Sequence, residues 1–509
     1  MRKHGFLTTL CGVIAILVLG CASCSDDNGG DGTVAEASIS PAALEFAADG
    51  AEVQTIQVKS NVEFLVATDA SWCNVSLASG ANSLDRTYSV KCEANTLARP
   101  RTASVKVRTT DGAEIASAAV RQLAVGGSAE PEPEVVPLAV NTVYEALGLG
   151  WNLGNQLDAH SNGVSAETCW GNPVVDRTLF DAIKNAGFKS VRIPVTWLGH
   201  IGAAPDYKLD DSWLNRVAEI VGYAESAGLY AIINIHHDGA DSQYWLDINK
   251  ASTNAAANTA IEAEIAAIWA QVARKFVDKG EFLIFESMNE IHDGKWGWGA
   301  NRTDGGKQYR TFNHWQQVFV DAVRAAGGEN TNRWLGIPAY CTNIDLGENL
   351  ILPDDASKRL MVAVHCYEPY EYTLNATYSE WGHTGKADKK DKSDEKTLVN
   401  EFDKAVKRWS EKGIPVYIGE FGCVHRAEPR AESFRRYYLE YYTKAASDRL
   451  IPAFYWDNGY DGAGTEMSGL FNRATGAYVN NSEDIVKAMM NGYYSPSLTL
   501  EDVYNSAPQ

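Results

Sequence analysis

From residue 139 onward one unit repeats: an amphipathic helix, a glycine, an apolar run, and a polar residue where the run stops. LFDAIKNAGFKSVRIPV has this form, and LNRVAEIVGYAESAGLYAIINI, IEAEIAAIWAQVARKFVDKGEFLIFE and FDKAVKRWSEKGIPVYIGE repeat it. In the second copy Leu214, Val217, Val221 and Ala224 fall on one helical face, and Gly228 is placed to end the helix. Strands alternating with helices pair in parallel, and a strand covered on both faces reads as a continuous apolar run. Eight such runs are present, at 148–153, 190–194, 231–235, 282–285, 334–338, 362–365, 416–419 and 453–456. Eight strands over about 355 residues predict an α/β fold of the (β/α)8 TIM-barrel type, spanning 139–495. An open doubly wound sheet would bring a glycine-rich nucleotide turn, and the sequence has none.

What precedes the barrel reads differently. Residues 34–125 alternate apolar and polar positions in short runs, TIQVKS, EFLVAT, TYSVKCEA, ASVKVRTT and SAAVRQLAV, which predicts a small all-β sandwich with Trp72 in its core. Residues 126–138, opening GGSAEPEPEVVP, are too rich in Gly, Pro and Glu to form a core and are expected to be a linker. At the start, Met1-Arg2-Lys3-His4 and the apolar stretch 6–20 have the form of an export signal, too short for a membrane span. VLGCASCSDDNGG resembles a bacterial lipoprotein signal over 1–24, with Cys24 favoured over Cys21 as the acylated residue because an acidic tag follows it. That resemblance implies an outer-membrane lipoprotein facing the cell surface, touching the membrane only through its lipid. ISPAALEFAADG, SWCNVS and EANTLARPRTASVKV make the sandwich similar to the BACON family. The family name implies carbohydrate binding, but no row of aromatics is evident for it, and a spacer is an equal reading.

Charge narrows the partners. With 45 basic and 65 acidic residues the chain carries −20, which argues against a nucleic acid and suits a neutral ligand. Cys73, Cys92, Cys169, Cys341, Cys366 and Cys423 are too dispersed for a disulfide scaffold, although Cys73 and Cys92 share one small domain.

A barrel of this type places its chemistry at the C-terminal ends of its strands. Those ends carry Asn152, Asn155, Arg192, His236, Asn289 with Glu290, Tyr340, His365 with Tyr367, Glu420, and Trp456. Any one of these alone is more simply structural. Two glutamates on opposite sides of one barrel mouth, each beside amide or aromatic groups, are what cleavage of a glycosidic bond requires.

The motifs GLGWNLGNQLDA, ETCWGNP, FKSVRIPVTW, YAIINIHHDG, IFESMNE, HCYEPYEYT, VYIGEFG and FYWDNG, in this order, make the chain resemble glycoside hydrolase family 5, and its subfamily 4 in particular. Gln156 departs from the threonine common at that position. The resemblance implies a retaining endo-β-1,4-glucanase acting on xyloglucan, cellulose-type or mixed-linkage β-glucan. It implies Glu290 as acid/base and Glu420 as nucleophile. Arg192 is then expected to keep Glu420 ionised, Tyr367 to hydrogen-bond it, and Asn289 to meet the sugar 2-hydroxyl. His236 and His365 would line the cleaved sugar's site above Trp456, with Asn155 contributing to binding and His237 packing behind. Glu286 is expected to support the acid/base strand without acting as a catalyst. Trp151, Trp197, Trp245, Trp296, Trp298 and Trp381 lie in or beside the loops that should ring the cleft, some of them as core residues. The loop 293–306, directly after Glu290, is expected to face the leaving group.

Other readings are a β-mannanase on the same chemistry and a surface glycan-binding protein on an inactive barrel. His236-His237-Asp238 has metal-ligand types without a further cluster, so neither a metal nor another cofactor is expected. A monomer is expected.

Overall fold

The computed structural model describes residues 35–70, 72–95, 101–123, 138–240, 244–386 and 395–509. Cys24, the export signal and nearly all of the expected linker lie outside the described residues. The chain divides into two compact units, one ending at Leu123 and the other holding the described residues from 138 onward.

The first unit has eight strands: β1 (Ala37–Ser40), β2 (Ala43–Phe46), β3 (Val53–Ser60), β4 (Phe64–Thr68), β5 (Cys73–Asn82), β6 (Asp85–Cys92), β7 (Arg101–Thr109) and β8 (Glu114–Gln122). They form two four-stranded sheets, ordered β1-β3-β6-β5 and β2-β8-β7-β4. Alternation does what the sequence suggests: Phe46, Ile56, Val58, Val90, Val105, Val107 and Val120 from both sheets form one core. Trp72 differs from expectation. It is only partly buried, and the Arg101 guanidinium covers its ring at 4.2 Å, so it seals the edge of the core.

The second unit is a closed parallel barrel. Its strands are β9 (Leu149–Leu153), β12 (Ser190–Ile193), β13 (Tyr230–Ile233), β14 (Leu283–Glu286), β15 (Leu335–Pro338), β16 (Leu360–His365), β17 (Val416–Phe421) and β18 (Ala453–Asp457), with a small hairpin, β10 (His160–Ser161) and β11 (Val164–Ser165), after the first. All eight expected strands are present, with ends moved by one or two residues. Helices pack outside them. The helix Asp211–Ala227 starts where the Asp210 carboxylate accepts the Ser212 N–H, and stops at Gly228, whose φ of 69° is the left-handed cap that glycine supplies. Its buried face is centred on Trp213, Val217, Ile220 and Ala224, leaving Leu214 at the margin. Inside the barrel, Ile232, Ile284, Met361, Ala363, Tyr417 and Phe454 pack with Val143 and Leu147 of the preceding helix Leu138–Leu147. That plug fills the N-terminal end, so polar side chains are left to the other mouth.

Candidate active site

Arg192, at the end of β12, is fully buried and organises the mouth. Its Nε and Nη2 form a fork on Glu286, with Nη2 2.7 Å from Oε1. Nη1 donates to Glu420 Oε1 at 2.7 Å and to Asn152 Oδ1 at 3.1 Å, and Nη2 also donates to Asn289 Oδ1 at 2.8 Å. A guanidinium has five N–H donors, and these contacts use them all. Asn152 in turn donates to the Gly419 and Phe454 carbonyls, bracing β9 against β17 and β18.

Glu286, at the end of β14, also accepts the Tyr417 hydroxyl at 2.6 Å and the Asn234 amide at 2.8 Å. Burial works to raise its carboxyl, but Arg192 and Tyr417 outweigh burial and hold it below the ordinary glutamate range. Glu286 is thus the main counterion of Arg192.

Glu420 lies on β17, with Oε1 on Arg192 and Oε2 accepting the Tyr367 hydroxyl at 3.0 Å. Arg192 acts on Glu420 in the expected direction, but other groups act on it as well. Burial pushes the Glu420 carboxyl up and nearby Glu290 adds to the rise, while His365 and Arg192 pull it back without cancelling it. Burial is the largest influence, and Arg192 divides its hydrogen bonds between Glu286 and Glu420.

Glu290 shares a 2.6 Å contact with His365 Nδ1 and accepts the Thr342 hydroxyl at 3.2 Å. Burial works to raise its carboxyl, and His365 reverses that, so it lies below its ordinary value. Carboxyl oxygens of Glu290 and Glu420 and a ring nitrogen of His365 all lie within 4.8 Å of one another. His365 fits because residue 419 is glycine: a Cβ there would stand 3.0 Å from Nε2 of the ring.

On the opposite wall His236 stacks on Trp456, with ring centroids 5.7 Å apart and planes 7° from parallel. Asn234 fixes its tautomer. The Asn234 Oδ1 accepts the Val195 N–H and its Nδ2 donates to Glu286, so the amide presents N–H to His236 Nδ1 at 3.2 Å. The ring hydrogen is therefore on Nε2, which points toward Glu420 Oε1 at 3.9 Å. Burial holds the imidazole neutral. Asp158, His236 and His237 do bring ligand-type atoms within 4.8 Å of one another, but the His236 Nδ1 lone pair is taken by the Asn234 amide. Asp238 takes no part: its carboxylate accepts the Trp197 N–H and the Trp245 indole N–H.

The remaining expected residues are spread more widely. Asn289 turns its oxygen to Arg192, leaving its amide N–H groups for a ligand. His237 is partly buried against Trp170 and His160, which suits packing. Asn155 occupies the turn after β9 at φ 55°, its N–H donated to Asp158 and its carbonyl accepting from Asn172. Gln156 is a brace, donating to Glu167 and to the Pro173 carbonyl. Tyr340 turns away from the mouth and bonds Gln308. Trp151, Trp197 and Trp381 are core; Trp245 is partly buried; Trp296 and Trp298 are 51% and 79% exposed.

Sequence reasoning missed Asn234 and Thr342. Thr342 follows Cys341, and both hold positive φ, 46° and 55°, a strained arrangement for a β-branched residue that aims the Thr342 hydroxyl at Glu290. Nothing in PAYCTN announces it.

Two carboxyls facing each other across one sugar-sized gap at the mouth of a (β/α)8 barrel define a glycoside hydrolase. The family model for cellulase, glycosyl hydrolase family 5, matches residues 157–462, and the chain belongs to that family. A second family model, the viral BACON domain, matches residues 36–123. Among relatives, Endoglucanase A of Paenibacillus barcinonensis is 36% identical over 375 residues, covering 70% of this chain and 90% of its own length. The xyloglucan-specific endo-beta-1,4-glucanase BoGH5A of Bacteroides ovatus is 31% identical over 505 residues, 94% of this chain and 95% of that one. A solved GH5-4 broad-specificity endoglucanase from Bacteroides salanitronis is 57% identical, with a TM-score of 0.69, covering 73% of this chain and all of its own.

Proposed function

We propose that this chain is a retaining endo-β-1,4-glucanase of plant cell-wall β-glucans, with xyloglucan as its principal substrate. The observation that carries the mechanism is the approach of the Glu290 and Glu420 carboxyl oxygens to within 4.8 Å. Retaining enzymes hold their carboxyls about 5–5.5 Å apart, whereas inverting enzymes leave about 6.5–9.5 Å for a water.

In the first step Glu420 attacks the anomeric carbon, the glycosidic C–O bond breaks, and the departing oxygen takes a proton from the Glu290 carboxyl, which enters this step protonated. A glycosyl ester on Glu420 results. Glu290 then removes a proton from water, the water oxygen bonds to the anomeric carbon, and Glu420 leaves as carboxylate. Arg192 and Tyr367 fix the attacking carboxylate, Asn289 meets the 2-hydroxyl, and Trp456, backed by His236, lies beneath the sugar ring.

The broad-specificity relative at 57% identity supports a β-glucan substrate. Alignment with the xyloglucan-specific relative extends through the sandwich and favours xyloglucan. The export features of residues 1–24 support a surface lipoprotein acylated at Cys24. Parallel digests of xyloglucan, barley mixed-linkage glucan, carboxymethyl cellulose and glucomannan test the substrate. Reducing ends should appear fastest from xyloglucan; glucomannan as the preferred polymer would overturn the assignment.

Trp296 supports the leaving-group side expected of its loop. His292 is near enough to Glu290 to draw its carboxyl down, and Trp296 stacks on His292 at 4.2 Å, leaving its other face half open. A sugar ring presents a flat C–H face to such a plane. Trp296→Ala is expected to lower kcat/KM on xyloglucan by about tenfold. Hydrolysis of an aryl cellobioside, which has no sugar on the leaving side, should stay unchanged. Equal losses on both substrates would remove Trp296 from that role.

A further inference from the structure

In the sandwich, Cys73 of β5 and Cys92 of β6 are direct partners across an antiparallel pair. The adjoining pair is hydrogen-bonded, with Glu93 N–H donating to the Trp72 carbonyl at 2.8 Å. Narrow and wide pairs alternate along such a ladder, so Cys73 and Cys92 occupy a pair without mutual backbone hydrogen bonds. There Cα atoms approach to about 4.5 Å and side chains lie closest, inside the range of about 4.4–6.8 Å that a disulfide spans. Both side chains are 1% exposed and belong to one core.

We propose that Cys73 and Cys92 form a disulfide that staples the sandwich once the chain reaches an oxidising compartment. The oxidant is a disulfide-bearing molecule: a thiolate of one cysteine attacks it, a mixed disulfide forms, and the other cysteine displaces the oxidant's thiol. Two thiols of the chain become one S–S bond, the oxidant's disulfide becomes two thiols, and the protons from the cysteines end on them. Burial pushes the Cys73 thiol up to about 12, with Cys92 adding to it, so thiolate is scarce once the strands have packed. Closure therefore belongs to folding, before β5 and β6 are sealed. Of the other described cysteines, Cys169 is exposed, and Cys341, Cys366 and Cys423 belong to the barrel.

The test uses the full chain, exported to an oxidising periplasm and quenched in denaturant with an alkylating reagent. Peptide mapping should recover the segments holding Cys73 and Cys92 joined and unalkylated, lighter than the two thiol peptides by two hydrogens. Adding a reductant should lower the sandwich's unfolding temperature by about 10 °C, with unchanged release of reducing ends from xyloglucan. The paired variant Cys73→Ala, Cys92→Ala should lose that reductant-dependent shift. Full alkylation of both thiols after periplasmic export, or a link from either one to Cys169, would overturn the proposal.

Discussion

Glu420→Ala is expected to cut the rate of xyloglucan hydrolysis by about 10^4- to 10^6-fold, the scale on which loss of a nucleophile acts. The fold should persist, because Arg192 keeps its fork on Glu286 and its bond to Asn152 after Glu420 is gone. A near-wild-type urea midpoint would verify that. Truncation also opens space at the anomeric carbon on the side away from the leaving oxygen, with Arg192 Nη1 and the Tyr367 hydroxyl still aimed into it. Azide is small and anionic and fits there. With an activated aryl cellobioside it should restore turnover by bonding its nitrogen to the anomeric carbon, yielding the α-glycosyl azide. Formation of the β-azide, or a variant that retains more than a hundredth of the wild-type rate, would assign the attack to another group.

The barrel was legible because each strand is an apolar run after a glycine, and eight such runs leave few alternatives. Strand ends were less legible: β17 continues through Glu420 to Phe421, since side chains of the mouth extend the ladder beyond its apolar part. Within the site, residue types at strand ends located Arg192, His236, Asn289, Glu290, His365, Tyr367 and Glu420, and the family resemblance paired Arg192 and Tyr367 with Glu420, but the fork of Arg192 on Glu286 was not anticipated. Glu286 and Arg192 are 94 positions apart, and only closure of the barrel brings them into a fork. Asn234 was hidden inside an apolar run, and Thr342 depends on a strained backbone. The tryptophans show the same limit. Trp151 and Trp296 are alike as letters, yet one is sealed beneath the mouth with its N–H on Asp457 and the other stands half open against His292.

Glu286→Ala should be among the most destabilising single changes in the barrel, because it strands a fully buried guanidinium with one remaining carboxylate. Breaking a buried pair from one side costs about 3–5 kcal/mol. The gentler Glu286→Gln keeps the volume and most hydrogen bonding while removing the charge, and it separates two roles for this residue. If Glu286 only props the strand, the pH profile should not move. In the arrangement found, Glu286 neutralises Arg192, and burial then pushes Glu420 upward. Removing the negative charge leaves the full guanidinium to Glu420, stabilising its carboxylate, so the acid limb of kcat/KM against pH should shift to lower pH. Stability carries a matching sign. Glu286 titrates below its ordinary range when folded, so its contribution is complete above that range and is lost as pH falls through the folded value. The stability difference between wild type and Glu286→Gln should accordingly narrow in acid. An acid limb that stays put or moves upward would mean that Arg192 answers to Glu420 alone, and that the carboxyl at the end of β14 holds structure without tuning the chemistry.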